Sequence, residues 1–223
     1  MSVAKNDRRS LFLMLSLLLL ILLTPFLEDQ RIGEIFLMVS LYLILITAIL
    51  ELHGKETLRW LAIGAAIPVV LVQLATLFRP SHSLLIVAYA LLIAFFGFVS
   101  VGLFTYLGKP GAITSGRVYA SVSLYLLLGM FWFALFNLTE TITPGSFAHD
   151  GVIMGIPRSS FLYFSLVTLT TLGYGDVLRR SSAARTMATL EAVMGQIYLA
   201  VLVARFVGLH IVHASKPRTR DDS

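Results

Sequence analysis

The chain has 223 residues, of which 57% are hydrophobic and only 13% charged, about half the charged share of an ordinary soluble domain. Too few polar side chains remain to build a water-facing surface, which excludes a soluble enzyme or a DNA-binding domain. The net charge is +5 and cysteine is absent. The charge is therefore read first as a topology signal, and disulfide, thiolate, zinc–thiolate and iron–sulfur chemistry are excluded.

Six uncharged or nearly uncharged runs approach the roughly 20 residues needed to cross a bilayer. The first is Ser10 to Leu27, closed by Glu28 and Asp29. The second, Ile32 to Leu52, has Glu34 near its start, and the third, Trp60 to Phe78, lies between Arg59 and Arg79 and contains Pro68. The fourth, His82 to Leu107, contains no Asp, Glu, Lys or Arg. The fifth is Val118 to Leu138, between Arg117 and Glu140; the last is Ser182 to His213, with Glu191 and Arg205 inside it. No small-x-small cleavage site follows the first run, so a retained span is expected there instead of a cleaved leader.

A seventh apolar run, Ser159 to Gly175, is too short and too glycine-rich at its end to be a span. Its first part, 159–170, suits a helix of about 18 Å. The alternate glycines that follow oppose a helix. Non-helical backbone at membrane depth is tolerated only inside protein or along a water-filled path, so the segment is expected to be a re-entrant loop. With both chain ends inside, the cytoplasmic side holds Lys5, Arg8, Arg9, Lys55, Arg59, Lys109, Arg117, Lys216, Arg218 and Arg220. The outer side holds Arg31, Arg79, Arg158, Arg179 and Arg180. That bias predicts six spans, cytoplasmic termini and a loop entering from outside. Nine residues precede the first run and about ten follow the last, which on this reading leaves no room for a ligand-sensing cytoplasmic domain.

The chemistry concentrates in Thr168-Leu169-Thr170-Thr171-Leu172-Gly173-Tyr174-Gly175-Asp176. A cation that sheds its water needs a ring of replacement oxygens. Backbone carbonyls supply them if they point one way, and an extended strand alternates them. Glycine at every second position admits the left-handed conformations that realign them. Thr171 adds a hydroxyl at the inner end, and the short helix aims its negative C-terminus inward.

This string, between two spans and after a short apolar helix, resembles the potassium-channel pore-domain family over roughly Arg117 to His213. The resemblance implies an all-α membrane protein of six transmembrane helices. A re-entrant pore helix and selectivity filter stand between the fifth and sixth, and the chain assembles as a homotetramer, since four filter segments close the ring. It implies a cytoplasmic N-terminus at 1–9, a four-helix domain at 10–107, a cytoplasmic connector at 108–117 and a pore domain at 118–213. Within the last fall the outer helix 118–138, pore helix 159–170, filter 171–175 and inner helix 182–213; a cytoplasmic tail takes 214–223. K⁺ is the implied permeant ion, bound by the carbonyls of Thr171, Leu172, Gly173 and Tyr174, with Gly175 closing the outer mouth. No other cofactor is implied. The implied setting is a plasma membrane of prokaryotic type, with three identical subunits and the bilayer as partners and no nucleic acid. A regulatory partner or lipid is left open.

Supporting positions carry over one by one. Asp176 follows the filter, where the family bonds an aromatic residue of the pore helix; Tyr163 stands at that position, with an interfacial belt role as the alternative. The family's occasional Glu at the place of Val167 is absent. Arg185 matches a basic residue common at the start of the inner helix. Gly195, twenty residues after Gly175, is a candidate hinge or a close-packing site. Ala192, Gln196, Leu199 and Val203 recur at helical spacing and are read as cavity lining, although Gln196 could instead bond between helices. Glu191, an intramembrane carboxylate, is read as bonding the back of the pore helix, at Thr168 or Thr170, with a pH sensor as the alternative. Arg205 is expected to snorkel to lipid phosphates, and Phe206 or Val207 to form an inner constriction.

The fourth span lacks the regular arginines of voltage-gated relatives. Each charge crossing the field is worth about 2.3 kcal/mol per 100 mV, so no strong intrinsic voltage dependence is expected. His210 and His213 share a helix face but make a weak metal signal. Two other functions fit the sequence less well. A potassium-uptake transporter subunit usually carries four degenerate loops in one chain, and only one full loop is present. A membrane-embedded enzyme would cluster acids, bases or metal ligands at membrane depth, and none cluster.

Overall fold

The computed structural model describes residues 2–24, 30–52, 56–79, 81–109, 114–149 and 156–214. Side chains of the first six residues, of 30–35 and 37, and of 209 onward lie outside that description. The side chains of the histidine pair at 210 and 213, and the whole tail from 215, therefore lie outside that description.

Helices carry the fold. In chain order they are α1 (Ser2–Leu23), α2 (Gln30–Glu51), α3 (Glu56–Phe78), α4 (His82–Gly108) and α5 (Ser115–Ile142). The strand β1 (Phe147–His149) follows, then α6 (Ser160–Leu169), the strand β2 (Val177–Arg179) and α7 (Ser182–Ala214). Four of the described helices, α3, α4, α5 and α7, are long and apolar enough to cross a membrane. Several helices extend past the apolar runs. α1 takes in the charged residues before Ser10, and α3 begins a turn before Trp60. Backbone hydrogen bonding continues where hydropathy stops, because an exposed polar turn at a helix end costs little in water. Pro68 sits inside α3 without ending it.

Capping explains the starts of two helices. Ser81 accepts a hydrogen bond from the Leu84 amide at 3.3 Å and opens α4. Thr114 accepts from the Arg117 amide at 3.3 Å and opens α5. Each satisfies one of the orphan amides of a first turn. The start of α5 has a second cap from a distant helix. Asp7 of α1 accepts the Gly116 amide at 3.0 Å, and any Cβ at Gly116 would collide with that carboxylate.

α5 is the axis of the molecule, packed on α1, α4, α6 and α7. Between α4 and α5, the buried Tyr89 hydroxyl donates to Asn137 Oδ1 at 3.2 Å. The Asn137 amide in turn donates to the Phe133 carbonyl at 2.9 Å. In lipid such interhelical bonds contribute of order 1 kcal/mol each, with packing supplying most of the association. An aromatic cluster closes the β1 end of the α5–α6 contact. Phe136, Phe147, Phe161 and Phe164 meet edge to face with ring centroids 4.9–5.6 Å apart.

The strands were absent from the hydropathy pattern. β1 and β2 pair antiparallel, Phe147 opposite Arg179, Ala148 opposite Leu178 and His149 opposite Val177. Glu140 holds the turn into β1, its two carboxylate oxygens accepting the amides of Gly145 (2.8 Å) and Phe147 (3.1 Å). The pair ties the segment leaving the loop of interest back to the end of α5.

Candidate ion-conducting site

α6 is a ten-residue helix, FLYF and LVTL wrapped around Ser165, and most of it is buried. At its end the chain does not continue as a helix or a strand. Thr171 takes a φ of 58°, Gly173 58° and Gly175 82°, and no other described non-glycine residue has a positive φ. Left-handed residues at every second position turn successive peptide planes so that carbonyls face one side, where an extended strand would alternate them. Glycine adopts this freely at two of the three positions. At Thr171 it costs about 1–2 kcal/mol, and surrounding bonds hold it there. The Thr171 amide donates to the Thr168 carbonyl at 2.9 Å, and the Leu172 amide to the Val167 carbonyl at 2.9 Å. The Thr171 hydroxyl accepts from Gln196 Nε2 of α7 at 3.2 Å.

The loop lies on the open side of a single chain. Leu172 is 56% and Tyr174 67% exposed. Around Gly173 and Gly175 a Cβ would meet nothing within 4 Å, so their requirement is conformational. Tyr174 stacks on Tyr163 of α6, ring planes within 2° and centroids 6.5 Å apart. Tyr163 thus reaches the loop. Asp176 accepts from the next amide, that of Val177, at 3.0 Å. Arg185 donates to the carbonyls of Arg179 (3.2 Å) and Arg180 (3.0 Å), fastening the loop's exit to the start of α7.

Behind α6 the structure names different partners for two residues. Glu191 is fully buried, and it meets Ser165 Oγ at 2.6 Å. The contact with the back of the short helix is real, but it runs through Ser165 and not through Thr168 or Thr170; the Thr170 hydroxyl donates to its own helix at Leu166. Ser165 projects one turn earlier, toward both α5 and α7. Arg205 also differs from the snorkelling expectation. Its guanidinium donates to the Lys109 carbonyl at 2.9 Å, a cation at the C-terminal end of α4 where the helix dipole is negative.

Gly195 packs against the Leu169 carbonyl, and a Cβ there would collide with that backbone oxygen. The same carbonyl accepts the Tyr125 hydroxyl from α5 at 3.1 Å. Among the residues read as cavity lining, Gln196, Leu199 and Val203 are exposed in the single chain and Ala192 is partly so. Only Gln196 touches the loop through a hydrogen bond recorded in the structure. Phe206 is half-buried and Val207 exposed. Hydropathy reasoning missed Ser165, Gly129, Tyr125 and Asp7. Gly129 lets α6 approach α5 closely, with the Leu166 side chain 3.0 Å from where its Cβ would be. Among the described residues no three His, Asp or Glu side chains gather as a metal site.

Residues 120–210 match a protein-family model described as an ion channel. Over 89 residues, 40% of this chain, the sequence is 34% identical to "Two-pore potassium channel 1" of Arabidopsis thaliana. The match spans about a fifth of that relative's length, 22%. No solved structure matches the chain. Family model and relative together support a likeness of this part of the chain to the potassium-channel pore-domain family.

Proposed function

We propose that four copies of this chain form a K⁺-selective channel, with the carbonyls of Thr171, Leu172, Gly173 and Tyr174 replacing the ion's water. The observation that carries the reading is the alternation of positive φ at Thr171, Gly173 and Gly175, directly after a buried short helix. Exposure of Leu172 and Tyr174 fits a surface that other copies would cover. Gln196, bonded to Thr171, stands at the inner end of the filter, where Ala192, Leu199 and Val203 would line a cavity. Asp176 and Tyr163 would hold the filter's outer half, and Phe206 or Val207 would narrow the inner end. α1 to α4 form a four-helix unit without gating charges in α4, so conduction is passive and not intrinsically voltage-gated. The chain sits in a cell membrane with both ends cytoplasmic.

The test is a liposome flux assay under K⁺ or Na⁺ gradients with no additive. K⁺ flux with little Na⁺ flux, abolished by Gly173→Asp, is expected. Equal K⁺ and Na⁺ flux overturns selectivity, and a monomer in mild detergent overturns the ring of four.

A further inference from the structure

Ser165 Oγ lies between two oxygens. It is 2.8 Å from the Gly129 carbonyl of α5 and 2.6 Å from Glu191 Oε1 of α7. Both contacts have hydrogen-bond length. A serine hydroxyl has one proton and can donate once. A backbone carbonyl can only accept, so the contact with Gly129 takes the serine's proton. The contact with Glu191 then needs a proton from the other side, and only a neutral carboxylic acid can supply one.

The opposite arrangement fares worse. If Ser165 donated to an ionised Glu191, its lone pairs would face the Gly129 carbonyl at 2.8 Å with no proton between them. The anion would also be fully buried, with Oε2 making no hydrogen bond. Among the described residues no cation is placed to offset it. α6 carries no charged residue at all; its one titratable side chain, Tyr163, stacks on Tyr174 on the filter side. From α5 the titratable neighbour is Tyr125, which gives its proton to the Leu169 carbonyl. From α7 itself Tyr198 stacks on Tyr125 and donates to Ser121.

We propose that Glu191 is a neutral carboxylic acid that donates to Ser165, completing a proton-ordered chain Glu191–Ser165–Gly129 across α7, α6 and α5 that positions the filter. The chain is held where it matters. Ser165 is on the helix whose Val167 and Thr168 carbonyls anchor Leu172 and Thr171. Removing the proton reverses the only donor that α7 offers α6 at this point. The sign follows: the chain is intact while Glu191 keeps its proton and is lost as rising pH removes it. This positioning role rests on the channel reading above; the protonation state does not.

Two measurements on the full chain in liposomes test it. Infrared difference spectra of wild type against Glu191→Gln should show the C=O stretch of a protonated carboxyl in wild type alone. The buried Glu51 is common to both and cancels. K⁺ flux should be retained in Glu191→Gln, whose amide can donate to Ser165. In Glu191→Ala it should fall about tenfold, the equivalent of about 1.4 kcal/mol and one hydrogen bond. Wild-type flux should decline as pH is raised from neutral to strongly alkaline while Glu191→Gln stays level. A carboxylate band in place of the protonated one at neutral pH overturns the proposal, whatever the flux. So does a Gln variant as inactive as the Ala variant while still tetrameric. Absence of K⁺ flux in wild type at every pH would sink the channel reading and leave the infrared result to decide Glu191.

Discussion

Replacing Gly195 with Ala separates a packing role from a hinge. The new methyl would meet the Leu169 carbonyl, a backbone atom that cannot swing aside as a side-chain tip can. Either α7 moves off α6 or the last turn of α6 shifts, and overpacking of this kind costs about 1–3 kcal/mol. Gly→Ala also brings a helix-propensity gain of about 1 kcal/mol, which would mask part of the clash. Gly208 supplies the control. It lies on the same helix, and a Cβ there meets nothing within 4 Å. Both variants receive the propensity gain, so their difference isolates the clash at about 1–3 kcal/mol. For a chain of this size each kcal/mol moves the thermal midpoint by about 2–4 °C. Thermal unfolding of the detergent-solubilised protein should therefore rank Gly208→Ala above wild type and Gly195→Ala below Gly208→Ala by several degrees. Because Leu169 ends the helix that leads into the loop at 171–175, Gly195→Ala should, on the proposed function, also raise Na⁺ leak in the flux assay. Equal melting of the two variants would refute the contact. A change in gating kinetics alone, with equal melting and unchanged selectivity, would favour the hinge.

Three further outcomes are expected. Asp7→Ala should lower the thermal midpoint through a lost cap on α5 worth about 0.5–2 kcal/mol, whereas Asp7→Asn should retain most of it; equal loss in both would mean the carboxylate's charge matters more than its hydrogen bond. Arg205→Gln removes a cation from the end of α4, an interaction worth about 0.3–1 kcal/mol, and should change single-channel open probability several-fold while leaving K⁺/Na⁺ selectivity alone; altered selectivity would place Arg205 in the filter's support. Conductance plotted against voltage in symmetrical K⁺ without blocking ions should be shallow, since α4 carries no Asp, Glu, Lys or Arg; a steep curve would require charge movement elsewhere.

How much of this was visible in the sequence follows the range of each interaction. The apolar runs report helices because backbone bonding in lipid is local, and α4 and α7 begin where their runs begin. The alternate glycines report the loop because conformational freedom is a property of the residue itself, and two of the three left-handed positions are glycines. The third, Thr171, carries no such signature; its conformation comes from the bonds around it. β1 and β2 are three residues each, Phe-Ala-His and Val-Leu-Arg, too short for any alternation to register. Glu191 drew attention as a buried acid, yet its partner stands 26 residues away, and Ser165 is one of several hydroxyls on or beside α6. Nothing in a linear pattern chooses among them. Helix rotation does, and rotation is set by tertiary packing such as the Gly129–Leu166 approach.

The same logic bears on how the first four helices meet the rest. Two bonds join helix ends on either side of the connector between α4 and α5, across separations of 109 and 96 residues. Asp7 puts a carboxylate on the amide end of α5, and Arg205 puts a guanidinium on the carbonyl end of α4. Each charge has the sign that its helix terminus favours, so neither bond opposes the electrostatics of the element it holds. Their consequences differ. Asp7 links two helices, α1 and α5, that also pack along their length, so breaking it loosens a contact that other residues maintain. Arg205 lies on α7, which packs on α5 and α6, and its hydrogen bond is a direct tie from α7 to the end of α4. A displacement of α4 along its axis would thus be felt at Arg205, next to Phe206 and Val207, before it reached the loop at 171–175. Loss of Arg205 should accordingly uncouple the two ends of the pore domain, changing how often the channel opens while leaving unchanged which ion passes.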